Sequence, residues 1–240
     1  MLISVVIPAY NEEKTIAQVL DLVLEKVKNL GEIIIIDDGS KDNTSTISRD
    51  YETRNPKVHY YLQPHNMGKT EALKEGFRRS TGEIVIVQDA DLEYDPDEIN
   101  HVVQPIQDGK ADVVLGSRFL VRRASRSLYF RHFMANKFIT FTSNVFTDLN
   151  LTDVETCYKA FRGEIIRDMI ITSTGFGFEV EVVAKVAKLK SRVYEVPISY
   201  YGRSYEEGKK IGAKDGVMAL FYIVKYNLFT SKKASFQSLQ

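Results

Sequence analysis

Asp89, Asp91 and Glu93 follow directly on the apolar run Ile84–Val87. Carboxylates this close repel one another in a low-dielectric crevice. A divalent cation turns that repulsion into attraction. Mg2+ and Mn2+ favour oxygen ligands, and Mg2+ commonly takes one or two protein carboxylates, leaving its other positions to water and substrate phosphates. Asp89 and Asp91, separated by Ala90, therefore read as a half-open Mg2+ or Mn2+ site, with Glu93 as a third candidate ligand. Such a site suits a nucleoside diphosphate, because the metal offsets charge building on a diphosphate leaving group. The purely structural alternative is a solvated turn that caps the next helix.

The elements that must position these acids alternate in type. "ISVVIP" reads as a strand, and Asn11 as the cap of a helix with Ile16, Val19, Leu20, Val23, Leu24 and Val27 on one face. "EIIIID" is continuously apolar, as a strand buried on both faces is. A helix through about Tyr51, the strand "VHYYL", a helix over 69–80, the strand "EIVIV", a helix over 96–108 and "ADVVLG" follow. This βαβαβαβ pattern predicts an α/β fold, a doubly wound, mostly parallel sheet with helices on both faces. Ligands of such sheets bind beyond the carboxyl ends of the strands. The loops "PAYNEE", "DDGSKD", "DADLE" and "GSR" all fall there and are expected to share one crevice.

Past residue 117 the pattern changes. Arg118, Arg122, Arg123, Arg126 and Arg131 precede a helical stripe of Phe130, Met134, Phe138, Phe141 and Val145. A last amphipathic helix carries Val217, Leu220, Phe221, Val224 and Leu228. One domain over 1–230 is expected, with a ligand-binding half over 1–117, a second half over 118–230 and a flexible tail over 231–240. The 240 residues hold 32 basic and 32 acidic side chains, so a chain-wide nucleic-acid footprint is not expected. The single cysteine, Cys157, allows no internal disulfide and points to a reducing compartment. The start "MLISVVIPAY" lacks the basic lead and cleavage site of a signal peptide. The longest apolar run, "VMALFYIV", is far short of the roughly 20 residues of a membrane span. A soluble or peripheral protein on the cytoplasmic side is expected.

"VVIPAYNEEKTI", "IIIIDDGSKDNT", "NMGKTEALKEGF" and "IVIVQDADLEYDP" resemble, in order and spacing, the family 2 glycosyltransferases. "LGSRF", "DVETCYKAFRG", "FGFEVEVVAK" and "YEVPISYYGRSYEEGKKI" extend the resemblance to the dolichol- or polyprenyl-phosphate mannose (or glucose) synthase-like branch. Glu93 stands where mannose synthases usually carry Gln, and Cys157 where many relatives have Gly. The resemblance implies a GT-A type nucleotide-diphospho-sugar-binding sheet and an inverting, divalent-metal-dependent hexosyl transfer. The donor would be GDP-mannose or UDP-glucose. The acceptor would be a polyprenyl or dolichyl phosphate at a membrane surface.

The resemblance also assigns roles. Pro8, Ala9, Tyr10, Glu12 and Asp38 would line the nucleoside pocket, continuing to Asp89, Ala90 and Asp91. Asp37 would support its loop, and Lys69 would border the crevice. Asp91, Arg118, Arg203 and Lys209 would act in catalysis, the cations against the donor diphosphate, since a guanidinium fork holds phosphate oxygens at two points. Arg203 and Lys209 would lie on a loop freed by Gly202, Gly208 and Gly212. Arg131 would bind the acceptor phosphate with help from Asn136, while the Phe130–Val145 stripe meets the lipid. An ionised phosphate acceptor needs no general base, in keeping with the scattered His59, His65, His101 and His132. A hydroxyl acceptor, soluble or polysaccharide, would need one, with Glu179 or Asp153 as candidates. A sugar-phosphate nucleotidyltransferase would carry a Gly-rich basic loop after the first strand, which "PAYNEEKT" is not. A non-catalytic nucleotide-sugar-binding protein is the other alternative.

Overall fold

The structure is a computed structural model that describes all residues except 121–125, 127–128, 204–205, 207–212 and 240. The described strands form a seven-stranded sheet in the order β3-β2-β1-β4-β6-β5-β7. They are β1 (Ile3–Ala9), β2 (Leu30–Asp37), β3 (Val58–Leu62), β4 (Ile84–Val87), β5 (Val113–Ser117), β6 (Lys159–Arg162) and β7 (Val193–Pro197). The helices are α1 (Ile16–Lys26), α2 (Thr44–Arg54), α3 (Lys69–Arg79), α4 (Ile99–Gln107), α5 (Phe130–Thr147), α6 (Gly163–Asp168), α7 (Phe178–Leu189) and α8 (Ala213–Leu228).

The expected parallel, doubly wound frame is present. β1 lies parallel to β2 and β4, β2 to β3, and β5 to β7. Alternate residues of β2 bury on opposite faces. Ile33 and Ile35 join the main core with Ile16, Val19 and Leu20 of α1, whereas Ile34 and Ile36 pack with Ala72 of α3. That two-sided burial is why the strand carries no polar alternation. Gly76 lets α3 approach the sheet, since a Cβ there would lie 2.3 Å from Cγ1 of Val6.

Three expectations need correction. Asn11 does not cap α1: it sits at φ 54°, its Oδ1 accepts from the backbone N–H of Lys41 at 2.8 Å, and the helix starts at Ile16. The side chain is spent joining two loops instead. No strand is expected within "DVETCYKAFRG", yet β6 enters antiparallel between β4 and β5. The tail is not loose, because Phe236 is 1% exposed, Met169 bridges to it, and Ser238 bonds Asp168. The apolar stripes of α5 and α8 face outward, the exposure that a lipid-facing α5 stripe requires. Phe130, Met134, Phe138, Phe141 and Val145 are each at least 50% exposed, as are Val217, Phe221 and Leu228. α5 instead buries Ile139, Thr140 and Ser143, and α8 buries Ala219, Tyr222, Ile223 and Tyr226. The two helices pack side by side.

Replacing Phe236 by Ala is expected to cost about 3 kcal/mol of unfolding free energy, the usual penalty for emptying a buried aromatic site. Urea denaturation checks this, and a loss below about 0.5 kcal/mol, the range of surface substitutions, would mean the tail is undocked.

Candidate active site

The carboxyl ends of the central strands open into a cavity of about 330 Å³. Pro8, Ala9, Tyr10 and Glu12 line it after β1, and Asp38 after β2. Asp89, Ala90, Asp91 and Glu93 line it after β4, and Arg118 after β5. Arg203 closes one side. The sequence-assigned donor residues are thus brought together. Arg131 and Asn136 are not among the lining residues: Arg131 is exposed on α5, and the Asn136 carbonyl accepts from Thr140. Lys209, with Arg122 and Arg123, lies outside the described residues. A larger groove of about 840 Å³ runs along β3 and α3. Its acids Glu71 and Glu75 are paired with Lys74, Arg78 and Arg79, so it offers no comparable chemistry.

The loops are held rigidly by their own carboxylates. Asp37 accepts from the backbone N–H of Ser40 and the hydroxyls of Ser45 and Tyr60. Asp38 accepts the backbone N–H of Met67 at 2.6 Å and of Gly68 at 2.8 Å, which ties the loop before α3 to the cavity. Burial nevertheless pushes the Asp38 carboxyl above its ordinary pKa. Arg118 is clamped from below by Asp153, with Nε and Nη2 donating at 2.6 and 2.7 Å to its two oxygens. Asp153 is fully buried and committed to this pair, which removes it as a free base.

The acids after β4 carry the electrostatics. Arg203 reaches in from its loop, with Nη2 2.6 Å from Asp91, Nε 3.2 Å from Glu93 and Nη1 3.5 Å from Glu12. Glu93 is further engaged by the Tyr200 hydroxyl and the Arg203 backbone N–H. Lys69 lies 2.9 Å from Asp89 and 3.5 Å from Glu179. Even with these partners the corner is over-supplied with negative charge. Burial first, then repulsion from Asp89 and Glu93, pushes the Asp91 carboxyl up to about 7 against the pull of Arg203. Among the described residues no three His, Cys, Asp or Glu side chains form a ready-made metal cage. The donor set instead fits a divalent ion taken on one or two carboxylates, with phosphate and water completing its shell.

Several lining residues escape the sequence reading. Glu155, Cys157, Gly175 and Phe176 wall the far end of the cavity. Glu155 is placed there by β6: an antiparallel strand begins at the edge where its parallel neighbours end. Burial, then the Glu179 charge, pushes the Glu155 carboxyl up to about 7, with Lys159 and Arg118 pulling the other way. The Glu179 carboxylate does line the cavity and is 4% exposed.

The model of the Glycosyl transferase family 2 matches residues 4–170, and the chain belongs to this family. It is a glycosyltransferase with a GT-A type fold. It is 27% identical to the undecaprenyl-phosphate mannosyltransferase of Micrococcus luteus over 88% of each chain. It is 31% identical to the undecaprenyl-phosphate 4-deoxy-4-formamido-L-arabinose transferase of Proteus mirabilis, over 86% of this chain and 62% of that one. It is 26% identical to the dolichol-phosphate mannosyltransferase of Pyrococcus furiosus, over 88% of this chain and 60% of that one. In structure it matches the glucosyl-3-phosphoglycerate synthase of Mycobacterium tuberculosis, crystallised with Mn2+ and UDP, at a TM-score of 0.73 and 20% identity over 94% of this chain and 80% of that one. The same synthase has also been crystallised with Mg2+ and UDP.

A carboxyl pKa raised by folding gives stability that is full below the unfolded value and lost as pH rises through the folded one. For Asp91 that window runs from about 4 to about 7. In chelator, the melting temperature of Asp91→Asn relative to the wild type is therefore expected to climb between pH 4 and 7 and then level. Mn2+ at pH 7.5 is expected to raise the wild type and not the variant. A difference that stays flat across pH would contradict the assigned charge frustration.

Proposed function

We propose that the chain moves a hexose, mannose or glucose, from a nucleotide-diphospho-sugar to a polyprenyl or dolichyl phosphate, with inversion, at the cytoplasmic face of a membrane. The observation that carries this reading is the convergence of Pro8–Glu12, Asp38 and the frustrated Asp89–Asp91 pair on one cavity. The lipid acceptor is supported by the M. luteus and P. furiosus relatives, which are named for lipid-phosphate mannosyl transfer. The P. mirabilis relative is named for a different sugar, so the resemblance leaves mannose and glucose both open.

The chain's residues divide the work as follows. Tyr10 offers an aromatic face to the base, and Glu12 and Asp38 offer acceptors to base or ribose. Asp89 and Asp91 would hold a Mg2+ or Mn2+ ion, and Glu93 adds charge while anchoring the Arg203 segment. When bound, the ion supplies positive charge against which the diphosphate departs. Lys69, Arg118 and Arg203, which line the cavity, face the same diphosphate. Such fixed cations act most strongly in a water-poor site. The acceptor phosphate oxygen forms its bond to the anomeric carbon from the face opposite the diphosphate, which leaves with the electron pair of the broken C–O bond. The acceptor is already ionised, so no base is needed.

Among the described residues, no helix is long and apolar enough to cross a membrane. The outward stripes of α5 and α8 supply the apolar surface for lipid instead, and Arg131 and Asn136 at the start of α5 take the phosphate headgroup. The inner faces of the same helices hold the cavity wall. Thr140 of α5 accepts from the backbone N–H of Val154, and Tyr222 of α8 bonds Thr174. Lipid docking and the reacting centre thus share two helices.

Asp91→Ala is expected to cut transfer from labelled GDP-mannose or UDP-glucose to a short polyprenyl phosphate by about a thousandfold, at unchanged circular dichroism. Near-normal turnover would refute the role. Arg131→Ala is expected to raise the KM for polyprenyl phosphate about tenfold, some 1.4 kcal/mol, with donor affinity unaltered. Equal loss of both, or of neither, counts against it. Phe138→Ser with Phe141→Ser is expected to leave stability within about 0.5 kcal/mol while abolishing sedimentation with anionic vesicles. Undiminished sedimentation would favour a soluble acceptor.

A further inference from the structure

The loops meet the cavity in the lateral order of the strands: Asp38 after β2, Pro8–Glu12 after β1, Asp89–Glu93 after β4, Glu155–Cys157 before β6, and Arg118 after β5. A donor whose nucleoside lies against the first two and whose diphosphate lies at the third has its sugar directed to the fourth. There the Glu155 Oε1 and Glu179 Oε2 atoms are buried without a hydrogen-bond partner among the described residues. A buried carboxylate oxygen left unpaired costs free energy that an incoming hydroxyl recovers. Other groups around it are already taken. Lys159 donates to the Thr156 carbonyl, the Cys157 backbone N–H donates to the Tyr94 hydroxyl at 3.2 Å, and Asp153 holds Arg118.

We infer that Glu155, with Glu179 near it, reads the hydroxyl groups of the transferred sugar and so sets which sugar this chain accepts. The inference rests on the donor reading above and adds a specificity-determining residue to it. Sites built to hydrogen-bond a hydroxyl reject analogues that lack it far more strongly than sites that merely enclose a shape, because the site's own polar atom is then stranded.

The test is calorimetric titration with Mn2+ of GDP, UDP, GDP-mannose and UDP-glucose against the wild type and Glu155→Gln, with Glu155→Ala as a second variant. The expected result is unchanged affinity for the bare nucleoside diphosphate and about a tenfold loss for the intact nucleotide sugar. Deoxy-sugar donors, titrated into the unaltered protein, are expected to include one that binds the wild type as weakly as the parent donor binds Glu155→Gln, and that loses nothing further in the variant. Equal affinities of wild type and variant for the nucleotide sugar overturn the proposal. So does a variant defect confined to the KM of polyprenyl phosphate, which would make Glu155 an acceptor residue. If the wild type binds none of the four nucleotides, the donor reading fails and the assignment of Glu155 falls with it.

Discussion

The Asp91 carboxylate is the group on which the architecture of the site turns. It is packed into the sheet edge between two other acids, and an arginine from a distant loop is drawn across the cavity to meet it at 2.6 Å. That single cation does not settle the account, because burial and the neighbouring acids still hold the carboxyl at about 7. A fold tolerates such a corner only where the rest of the structure over-determines it. Here β4 is fully buried between β1 and β6, so the acids cannot relax away from one another by moving the strand. The same rigidity that keeps the acids together suits the corner to a divalent charge. Arg203, paired with Asp91 and Glu93, would be the group displaced by a divalent ion, and a diphosphate would offer it new anions.

The second constraint is topological. A purely parallel sheet would end the crevice at the Asp89–Asp91 corner. Threading β6 antiparallel between β4 and β5 brings the start of a strand to the edge where its neighbours finish. Glu155 and Cys157 reach the cavity by that route, and α7 brings Glu179 to the same end. The ligand-facing edge therefore has two chemistries. One side is rich in hydrogen-bonding loops around Asp37 and Asp38, and the other carries Glu155 and Glu179, each with one buried oxygen that has no hydrogen-bond partner among the described residues. Below this edge, buried pairs such as Arg118–Asp153 fix the geometry, and removing one partner would leave an uncompensated charge.

Much of this was legible in the residues themselves. Period-two-free apolar runs such as "EIIIID" announce doubly buried strands, and the acids after "IVIV" stand out as a charge cluster, which the fold places on the cavity. Other features depend on partners far along the chain. Asn11 looks like a helix cap, but its side chain is claimed by Lys41 across a loop. Nothing in "CYKAFR" distinguishes an antiparallel insertion from a connecting loop, because direction is set by which neighbours it finds. The stripes of α5 and α8 show their helical period plainly. Period alone does not say which face is inward, and α8 buries Ala219, Tyr222, Ile223 and Tyr226 while Val217, Phe221 and Leu228 stay exposed. The basic loop was legible as cationic, while the attachment of Arg203 to Glu12, Asp91 and Glu93 required knowing that three separate loops meet.

The outward apolar faces and the polar cavity are not independent features. α5 and α8 hold the 151–157 and 174–177 segments with their inner faces and present aromatic side chains outward. What joins all of this is the over-charged corner after β4. The most direct measurement of it is anomalous scattering from crystals grown with Mn2+ and a nucleoside diphosphate. The account predicts a manganese peak bonded to Asp91 and to a phosphate oxygen, with the Arg203 guanidinium moved off Asp91. A nucleotide bound elsewhere, or bound in the cavity with Arg203 still on Asp91 and no metal peak beside it, would contradict it.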